Sequence, residues 1–479
     1  MSKLVYNIIA INKTMQTSFY RLKQFVTLSG DFITYIAGLF IALAVRYKSI
    51  PEVSDVVRLL PFFVYIFLAW LVVNYVNGLY DIGKIKSPFE YQKRIIESIF
   101  ISTIIGFVFF YIIQSNQGVT PKTLLVLTAF FGYELMFIWR LISRKLLGGK
   151  VLNANVLFVG YNEEVNELAH IMLKNPGRGY TASAIIDIEK KLKQHHIPDV
   201  TVYESLQKIR PAISLHNIQL VVISPQLKQD KGAIRELYEL LFWDVQIADL
   251  ATFYELLTGR IPPLTFSEGW FLDHLKNKKH RVYDHLIRIV DLLSGLIIGS
   301  VFVVFFPFLA FAIKLTSKGP IFYKQIRVGK NGKEFYLYKL RSMYAISKDG
   351  GAEKNGAQFA KVNDTRITPI GKFLRKSRMD ELPQAWNLIK GDLAIVGPRP
   401  ERPEIIQKIE STMPYYTLRH SVKPGITGWA VVNQNYTDTL EQILQKLQYD
   451  LYYIKNRSLL LDMSILLKTV NVVVRMMGR

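Results

Sequence analysis

Cysteine is absent from this chain of 479 residues, which excludes disulfides and thiolate metal sites. Acid is scarce: 38 Asp and Glu stand against 60 Lys and Arg, leaving a formal charge of +22. A surplus of that size suits a face turned to anionic lipid headgroups or to a nucleotide. Nucleic acid would suit it too, but no recognised nucleic-acid motif accompanies the charge, so no nucleic-acid partner is expected. The chain also lacks an internal repeat and a low-complexity run, and no signal peptide is expected, because its first 24 residues are polar and basic without an apolar core. What it holds in quantity is apolar residues, 50% of the total. At this length roughly two or three domains are expected.

Four apolar stretches, near 25–45, 59–77, 95–114 and 123–141, are each long enough to cross a bilayer. Lys3, Lys13, Arg21 and Lys23 precede the first, and Lys84, Lys86, Lys93 and Arg94 separate the second from the third. Arg140, Arg144, Lys145 and Lys150 follow the fourth, whereas only Lys122 lies between the third and fourth. The first loop is mixed, with Arg46, Lys48 and Arg58 against Glu52 and Asp55. The positive-inside rule therefore puts both ends of residues 1–150 in the cytoplasm. Asp31, Glu97 and Glu134 fall within the spans. Each is read as an interfacial acid near the cytoplasmic end of its helix, the alternative being a functional acid inside the membrane.

Residues 151–275 change character. Asn155 to Gly160 reads as a buried strand ending in a glycine turn, followed by a helix over Val165 to Leu173. Ala184 to Ile188, Leu220 to Ser224 and Val245 to Leu250 are further short apolar runs. The alternation predicts a small parallel sheet of Rossmann type. The dinucleotide fingerprint is missing: Tyr161, Asn162, Glu163 and Glu164 follow Gly160, and their bulk and charge oppose a pyrophosphate. A structural or regulatory module without a cofactor is expected.

The run Arg378-Met379-Asp380-Glu381-Leu382-Pro383-Gln384 places two adjacent carboxylates where a short helix opens, because Pro383 is tolerated only in a first turn. That helix carries Ala385, Trp386, Leu388 and Ile389 and stops at Gly391. A carboxylate there is expected to stay ionised, favoured by the helix dipole and by Arg375, Lys376 and Arg378. An ionised Asp beside a carboxylate able to hold a metal suits attack on a phosphoryl group. The plain alternative is an N-cap Asp with a solvated Glu. Arg399, braced between Pro398 and Pro400, is either a pre-positioned fork for phosphate or a turn arginine. Gly425 and Gly428 flank Thr427 in a tight turn that either approaches a nucleotide or is only a turn. Tyr449 to Ile454 and Leu459 to Val474 read as amphipathic helices for the core or for the headgroup layer, and Asp450 as a surface acid, the alternative being a further site carboxylate.

A 22-residue apolar run, Leu292 to Ile313, precedes this pair. Crossing straight, it would leave the pair outside. Between Lys276 and Arg341, however, 13 Lys and Arg oppose three Asp and Glu, on both sides of the run, and Pro307 lies inside it. A re-entrant helix near 285–313, bending at Pro307 and returning to the cytoplasmic face, satisfies both facts.

Six segments then carry a resemblance. They are Gly319-Pro320-Ile321-Phe322-Tyr323-Lys324-Gln325, Lys339-Leu340-Arg341-Ser342-Met343, Asp364 to Gly371, Asp380 to Gln384, Gly397-Pro398-Arg399-Pro400-Glu401 and Lys423 to Trp429. In this order they resemble the catalytic domain of bacterial polyprenyl-phosphate hexose-1-phosphate transferases, the monotopic phosphoglycosyl transferases, over about Lys279 to Arg479. The front end is similar to the long members of that family. The resemblance implies a bacterial inner-membrane enzyme with its catalytic domain, 276–479, on the cytoplasmic face. It implies Asp380 as nucleophile on the β-phosphate of a UDP-sugar, Glu381 as a ligand to Mg²⁺, and polyprenyl phosphate as acceptor. Arg399, Arg341 and Arg378 are implied phosphate-binding candidates, although many relatives have a small polar residue where Arg378 stands. Relatives suggest a homodimer, and their re-entrant helix often has Ser before the proline, where this chain has Phe306.

The expected fold is a membrane protein, α plus α/β. It combines a four-helix transmembrane bundle, a Rossmann-like parallel domain and an α-rich catalytic domain with a re-entrant membrane helix. Two rival readings are a catalytically idle membrane scaffold whose α/β module senses a nucleotide, and a polytopic transferase acting in one step. The segment Val431 to Thr437 is a candidate for shaping the choice of sugar, but no residue in it distinguishes glucose, galactose or an acetamido sugar.

Overall fold

A computed structural model describes residues 18–80, 88–113, 122–147, 153–175, 179–194, 197–229, 231–275, 281–346, 364–434 and 439–474. The loops 81–87 and 114–121, which carry part of the charge asymmetry, lie outside these, as does the stretch 435–438 within the candidate sugar-selecting segment. The chain forms two compact units, Met1–Leu257 and Thr258–Arg479. Each has its own core.

In the first unit, helices α1 (Ser18–Tyr47), α2 (Val53–Val76), α3 (Pro88–Ile113) and α4 (Lys122–Leu147) correspond to the four apolar stretches. Each holds a segment long and apolar enough to cross a membrane. They share a core that includes Tyr35, Leu39, Phe67, Trp70, Ile95 and Tyr133. Polar groups are buried among these rings and are paired with one another. Asn74 Nδ2 donates to the Tyr35 hydroxyl at 2.6 Å, and Trp70 Nε1 donates to the Ser102 carbonyl at 2.9 Å. In an apolar medium such groups must find protein partners.

Asp31 corrects its sequence reading. It is fully buried, not interfacial. Its carboxylate takes both Nε, at 3.1 Å, and Nη2 of Arg140, and accepts from the Tyr80 hydroxyl at 2.7 Å. Helical spacing could not show that Arg140 on α4 points at it. Glu134 is exposed, and Glu97 is partly so.

The parallel sheet follows, with β1 (Ala154–Val159), β2 (Tyr180–Ile186), β3 (Thr201–Tyr203), β4 (Leu220–Ile223) and β5 (Gln246–Asp249) in the order β3-β2-β1-β4-β5. All pairings are parallel. The strand β3 was missed because its three residues are exposed or half-buried and show no apolar run. Helix α5 (Glu163–Lys174) follows β1, with Asn162 capping it by accepting from Val165 N at 2.9 Å.

The second unit runs from Thr258, and Ile261 and Phe271 join its core. Its longest element is α6 (Arg281–Thr316), which contains Pro307. A hairpin of β6 (Phe322–Val328) and β7 (Glu334–Leu340) comes next, then α7 (Pro369–Lys376) and α8 (Ala385–Lys390). The short parallel pair β8 (Ala394–Val396) and β9 (Gly425–Thr427) precedes α9 (Leu440–Asn456) and α10 (Leu459–Val474). Leu447, Leu451, Ile454 and Ile465 settle those last two helices into the core, while Leu460 and Met463 stay exposed.

Candidate active site

The chain approaches the Asp-Glu pair through a forced reversal. Thr368 and Pro369 start α7, with Gly371 N donating to the Thr368 hydroxyl at 3.0 Å. After Lys376 the chain turns through Arg378, whose φ of 60° lies in the left-handed region that an L residue enters at a cost. Residues Met379–Gln384 then form a 3₁₀ turn containing Asp380, Glu381 and Pro383, which runs into α8 and ends at Gly391. The pair therefore opens a short helix as the sequence predicts. Asn387 pins that helix to β7: its Nδ2 donates to the Tyr336 carbonyl at 2.8 Å, and its Oδ1 accepts from Tyr338 N at 3.3 Å. This clamp brings Lys339 of β7 against the pair.

Asp380 and Glu381 are 7% and 8% exposed, yet their environments differ. Glu381 Oε1 accepts from Arg399 Nη2 at 2.6 Å and Lys339 Nζ at 3.1 Å, with Arg378 Nη1 at 3.5 Å. Burial alone would raise this carboxyl, but Arg399, Lys339 and Arg378 together hold it well below the usual carboxylate range. Asp380 has no such set. Its Oδ1 is buried without a partner in the protein. Burial pushes it up to about 6, against the pull of Lys339, Arg375 and Arg378 and with the push of Glu381. Burial thus outweighs the neighbouring cations at Asp380, yet a carboxyl near 6 still stays mostly ionised at neutral pH. Glu381 takes the direct cation contacts, and desolvation decides Asp380.

The phosphate-fork candidate is held from behind. Arg399 is 32% exposed at its side chain, so its guanidinium meets both Glu381 and the outside. Its carbonyl accepts from Arg419 Nη2 at 2.9 Å, and the Pro400 carbonyl accepts from Arg327 Nη1 at 2.9 Å. Arg419 pairs with Asp450 at 2.8 Å, and Lys446 pairs with Glu401. Burial would raise Glu401, but Lys446, Arg419 and Arg327 bring it down to about 2. Asp450 is consequently neither a surface acid nor a site carboxylate but the buried counter-ion of Arg419, 1% exposed.

The turn glycines also have a structural use. A Cβ on Gly425 or Gly428 would run into the backbone of Gly397, so the approach they permit is between β8 and β9. Gly425 N donates to the carbonyl of Pro398 at 2.9 Å, which fixes that buried proline.

Arg341 stands apart from the cluster. It is 2% exposed, and its guanidinium donates to the carbonyls of Ser317, at 2.9 Å, and Lys318, just past the end of α6. Its two terminal nitrogens are thus spent on backbone and are not directed at the Asp380–Glu381 cluster. Lys339 is the residue that sequence reasoning left without a role. It opens the run Lys339 to Met343, but only the β7–α8 clamp shows what it faces.

Among the described residues no group of three carboxylate or histidine side chains comes together to hold a metal. The site offers a cation the free Oδ1 of Asp380 and a Glu381 carboxylate whose Oε1 is already engaged.

Residues 282–476 match the bacterial sugar transferase family. The chain is 37% identical over 269 residues to a UDP-N-acetylgalactosamine-undecaprenyl-phosphate N-acetylgalactosaminephosphotransferase of Aeromonas hydrophila, covering 52% of this chain and 62% of that protein. It is 44% identical over 173 residues to a UDP-glucose:undecaprenyl-phosphate glucose-1-phosphate transferase of Xanthomonas campestris pv. campestris, covering 36% of this chain and 34% of that protein. These two matches each span less than two thirds of the relative. A third, to a putative undecaprenyl-phosphate N-acetylgalactosaminyl 1-phosphate transferase of Bacillus subtilis (strain 168), is 44% identical over 146 residues and covers 30% of this chain and 77% of that protein.

Proposed function

The chain belongs to the bacterial sugar transferase family, and from that premise we propose that it moves a sugar-1-phosphate from a UDP-sugar to polyprenyl phosphate, of the undecaprenyl type, in two covalent steps. One observation carries the reading: a buried, unpaired Asp380 Oδ1 stands beside a carboxylate already saturated with cations. With its carboxyl near 6, Asp380 is mostly ionised at neutral pH while keeping nucleophilicity. Its Oδ1 attacks the β-phosphorus, the bond to the UMP oxygen breaks, and UMP leaves with the electron pair. A phosphate oxygen of the lipid then attacks the same phosphorus, and the bond to Asp380 breaks to give polyprenyl diphosphate-sugar.

Lys339, Arg375, Arg378 and Arg399 supply positive charge to phosphate oxygens during both steps. When bound, Mg²⁺ would neutralise further phosphate charge, held by Glu381 together with substrate phosphates. Binding with the substrate follows from the charge, since these four cations already surround the two carboxylates.

The site is proposed to lie on the cytoplasmic face of a bacterial inner membrane. In support, both halves of α6 pack on the same unit. Near its start, Arg288 donates to the Leu388 and Ile389 carbonyls at 2.7 Å, and Asp291 accepts from Ile395 N at 2.7 Å. Near its end, Leu309 and Ile313 are buried with Leu340 and Leu374. Phe306, standing before Pro307, stacks on Phe322 at 5.4 Å. A straight crossing would carry one half about 30 Å away from the other's partners. The outward residues Leu296, Ile297, Val303, Val304, Phe308 and Phe311 are exposed and suit lipid. These contacts favour a helix that enters the membrane and returns.

The test uses purified protein with UDP-glucose or UDP-N-acetylgalactosamine alone. The expected result is release of UMP up to one equivalent and a phosphosugar adduct on Asp380 by mass spectrometry. Turnover should begin when polyprenyl phosphate is added. An adduct on another residue, or turnover in an Asp380→Asn variant, overturns the covalent scheme, and full activity in EDTA removes the metal. Cysteines at Lys278 and Lys330 should both be shielded from an impermeant thiol reagent in spheroplasts and labelled after lysis. Labelling of the second from outside would mean a true crossing.

A further inference from the structure

The α/β sheet carries a polar cluster that neither membrane anchoring nor transfer chemistry uses. The order β3-β2-β1-β4-β5 makes the chain reverse direction across the sheet between β1 and β4. Ligands of doubly wound sheets sit outside the carboxyl ends of the strands at such a point. Here Gly160 ends β1, Asp187 follows β2 and Ser224 follows β4. They lie side by side: Gly160 N donates to the Ile186 carbonyl at 2.9 Å, and Ser224 N donates to the Val159 carbonyl at 3.0 Å. Gly160, with φ +93°, could not be replaced without strain, because a Cβ would meet the Ser224 Cβ at 2.8 Å.

Asp187 and Ser224 are each 1% exposed. Even so, Asp187 Oδ1 and Ser224 Oγ have no hydrogen-bond partner in the protein. At the start of α5, Asn162 Nδ2 and Asn166 Oδ1 are likewise buried and unspent. The remaining atoms of two of these groups fix their orientation: Asp187 Oδ2 accepts from Leu192 N at 2.7 Å, and Asn162 Oδ1 caps α5. A buried polar atom left without a partner bears its desolvation cost with nothing in return. Two such atoms stand just past the strand ends and two at the start of α5, and a ligand at this end of the sheet would complete them.

The charge states what kind of ligand. Glu163 and Glu164 fill the first turn of α5. Lys190 and Lys191, just after Asp187, are exposed and paired with Glu204 and Glu189. A phosphate at this helix start would face carboxylates in place of free N–H groups. An acid after the second strand, in contrast, is where a ribose diol is accepted in doubly wound sheets.

We infer that this carboxyl end of the sheet binds an unphosphorylated nucleoside, Asp187 accepting from its ribose diol while Ser224 and Asn162 complete its remaining hydrogen bonds.

The test is equilibrium dialysis of the full-length protein in lipid nanodiscs with radiolabelled uridine and adenosine. Saturable binding of at least one is expected. The matching 2′-deoxynucleoside and the Asp187→Asn variant should each weaken it about tenfold or more, the loss of a charged hydrogen bond. Ser224→Ala should weaken it less, and serves as the test should the first variant misfold. The 5′-monophosphate should bind more weakly than the nucleoside at this site. Arg399→Ala should keep nucleoside binding, and Asp187→Asn should keep UMP release from UDP-sugar. No saturable binding at millimolar nucleoside, indifference to both sheet variants, tighter binding of the phosphate that Asp187→Asn weakens, or loss in Arg399→Ala would each overturn the inference.

Discussion

The protein buries acids beside bases in two places, and the two are wired differently. Between α1 and α4, Asp31 meets one arginine, with both its oxygens engaged by Arg140 and one also by the Tyr80 hydroxyl. Around the 3₁₀ turn, Glu381 draws Arg399, Lys339 and Arg378 to a single oxygen, and its neighbour Asp380 keeps an oxygen with no partner. A carboxylate with both oxygens engaged holds helices together. One that is buried, flanked by surplus cations and left with a free oxygen is set up to react. Burial alone does not separate the two cases; the distribution of partners does.

Exchanging each acid for its amide should therefore give opposite outcomes. Asp380→Asn is expected to lower turnover by roughly four orders of magnitude or more, measured as UMP release. Its stability should hold or rise. A carboxyl raised to about 6 favours the fold below its unfolded value and loses that contribution as pH rises through 6, so at pH 7 the ionised acid is a burden. Asp31→Asn should instead destabilise by about 3–5 kcal/mol, because Arg140 is left buried and unpaired. Thermal unfolding in one detergent compares the two. Replacing Asp31 by Leu and Arg140 by Met together should recover most of that loss.

Removing one cation from the reactive cluster sharpens the contrast further. Arg399→Ala or Lys339→Met is expected to cost about 10²–10³ in kcat/KM for the UDP-sugar. Either change combined with Glu381→Gln should be markedly non-additive, since both partners share one oxygen. The pH profile gives a smaller effect. Activity should be flat above pH 7 and fall about tenfold per unit well below 6 as Asp380 gains its proton. In Lys339→Met the limb should move to higher pH, because that lysine lowers the Asp380 pKa. The mildest change is Arg341→Lys. It should cost about 1–2 kcal/mol of stability by giving up a carbonyl contact beyond α6 and leave KM nearly unchanged. A large rise in KM would return Arg341 to the phosphate site.

Much of this architecture was legible in the chain. Hydropathy marked the four front helices, strand-length apolar runs marked most of the sheet, and Pro383 and Gly391 bounded the short helix after the pair. The readings that failed were about partners. Asp31 and Asp450 were placed at surfaces, although Arg140 lies 109 positions from the first and Arg419 lies 31 from the second. Lys339 stands 42 positions from Glu381, with a whole helix and a reversal at Arg378 between them. No periodicity connects residues so far apart.

Which segments are apolar, where helices start and stop, and that two carboxylates stand together follow from the sequence, because these are properties of neighbours along the chain. Which carboxylate receives the cations does not. That was decided when the Asn387 clamp set β7 against the 3₁₀ turn and Arg419 held the loop of Arg399 from behind. Coulomb energy depends on distance through space and on the water excluded between charges, and only the folded chain sets both.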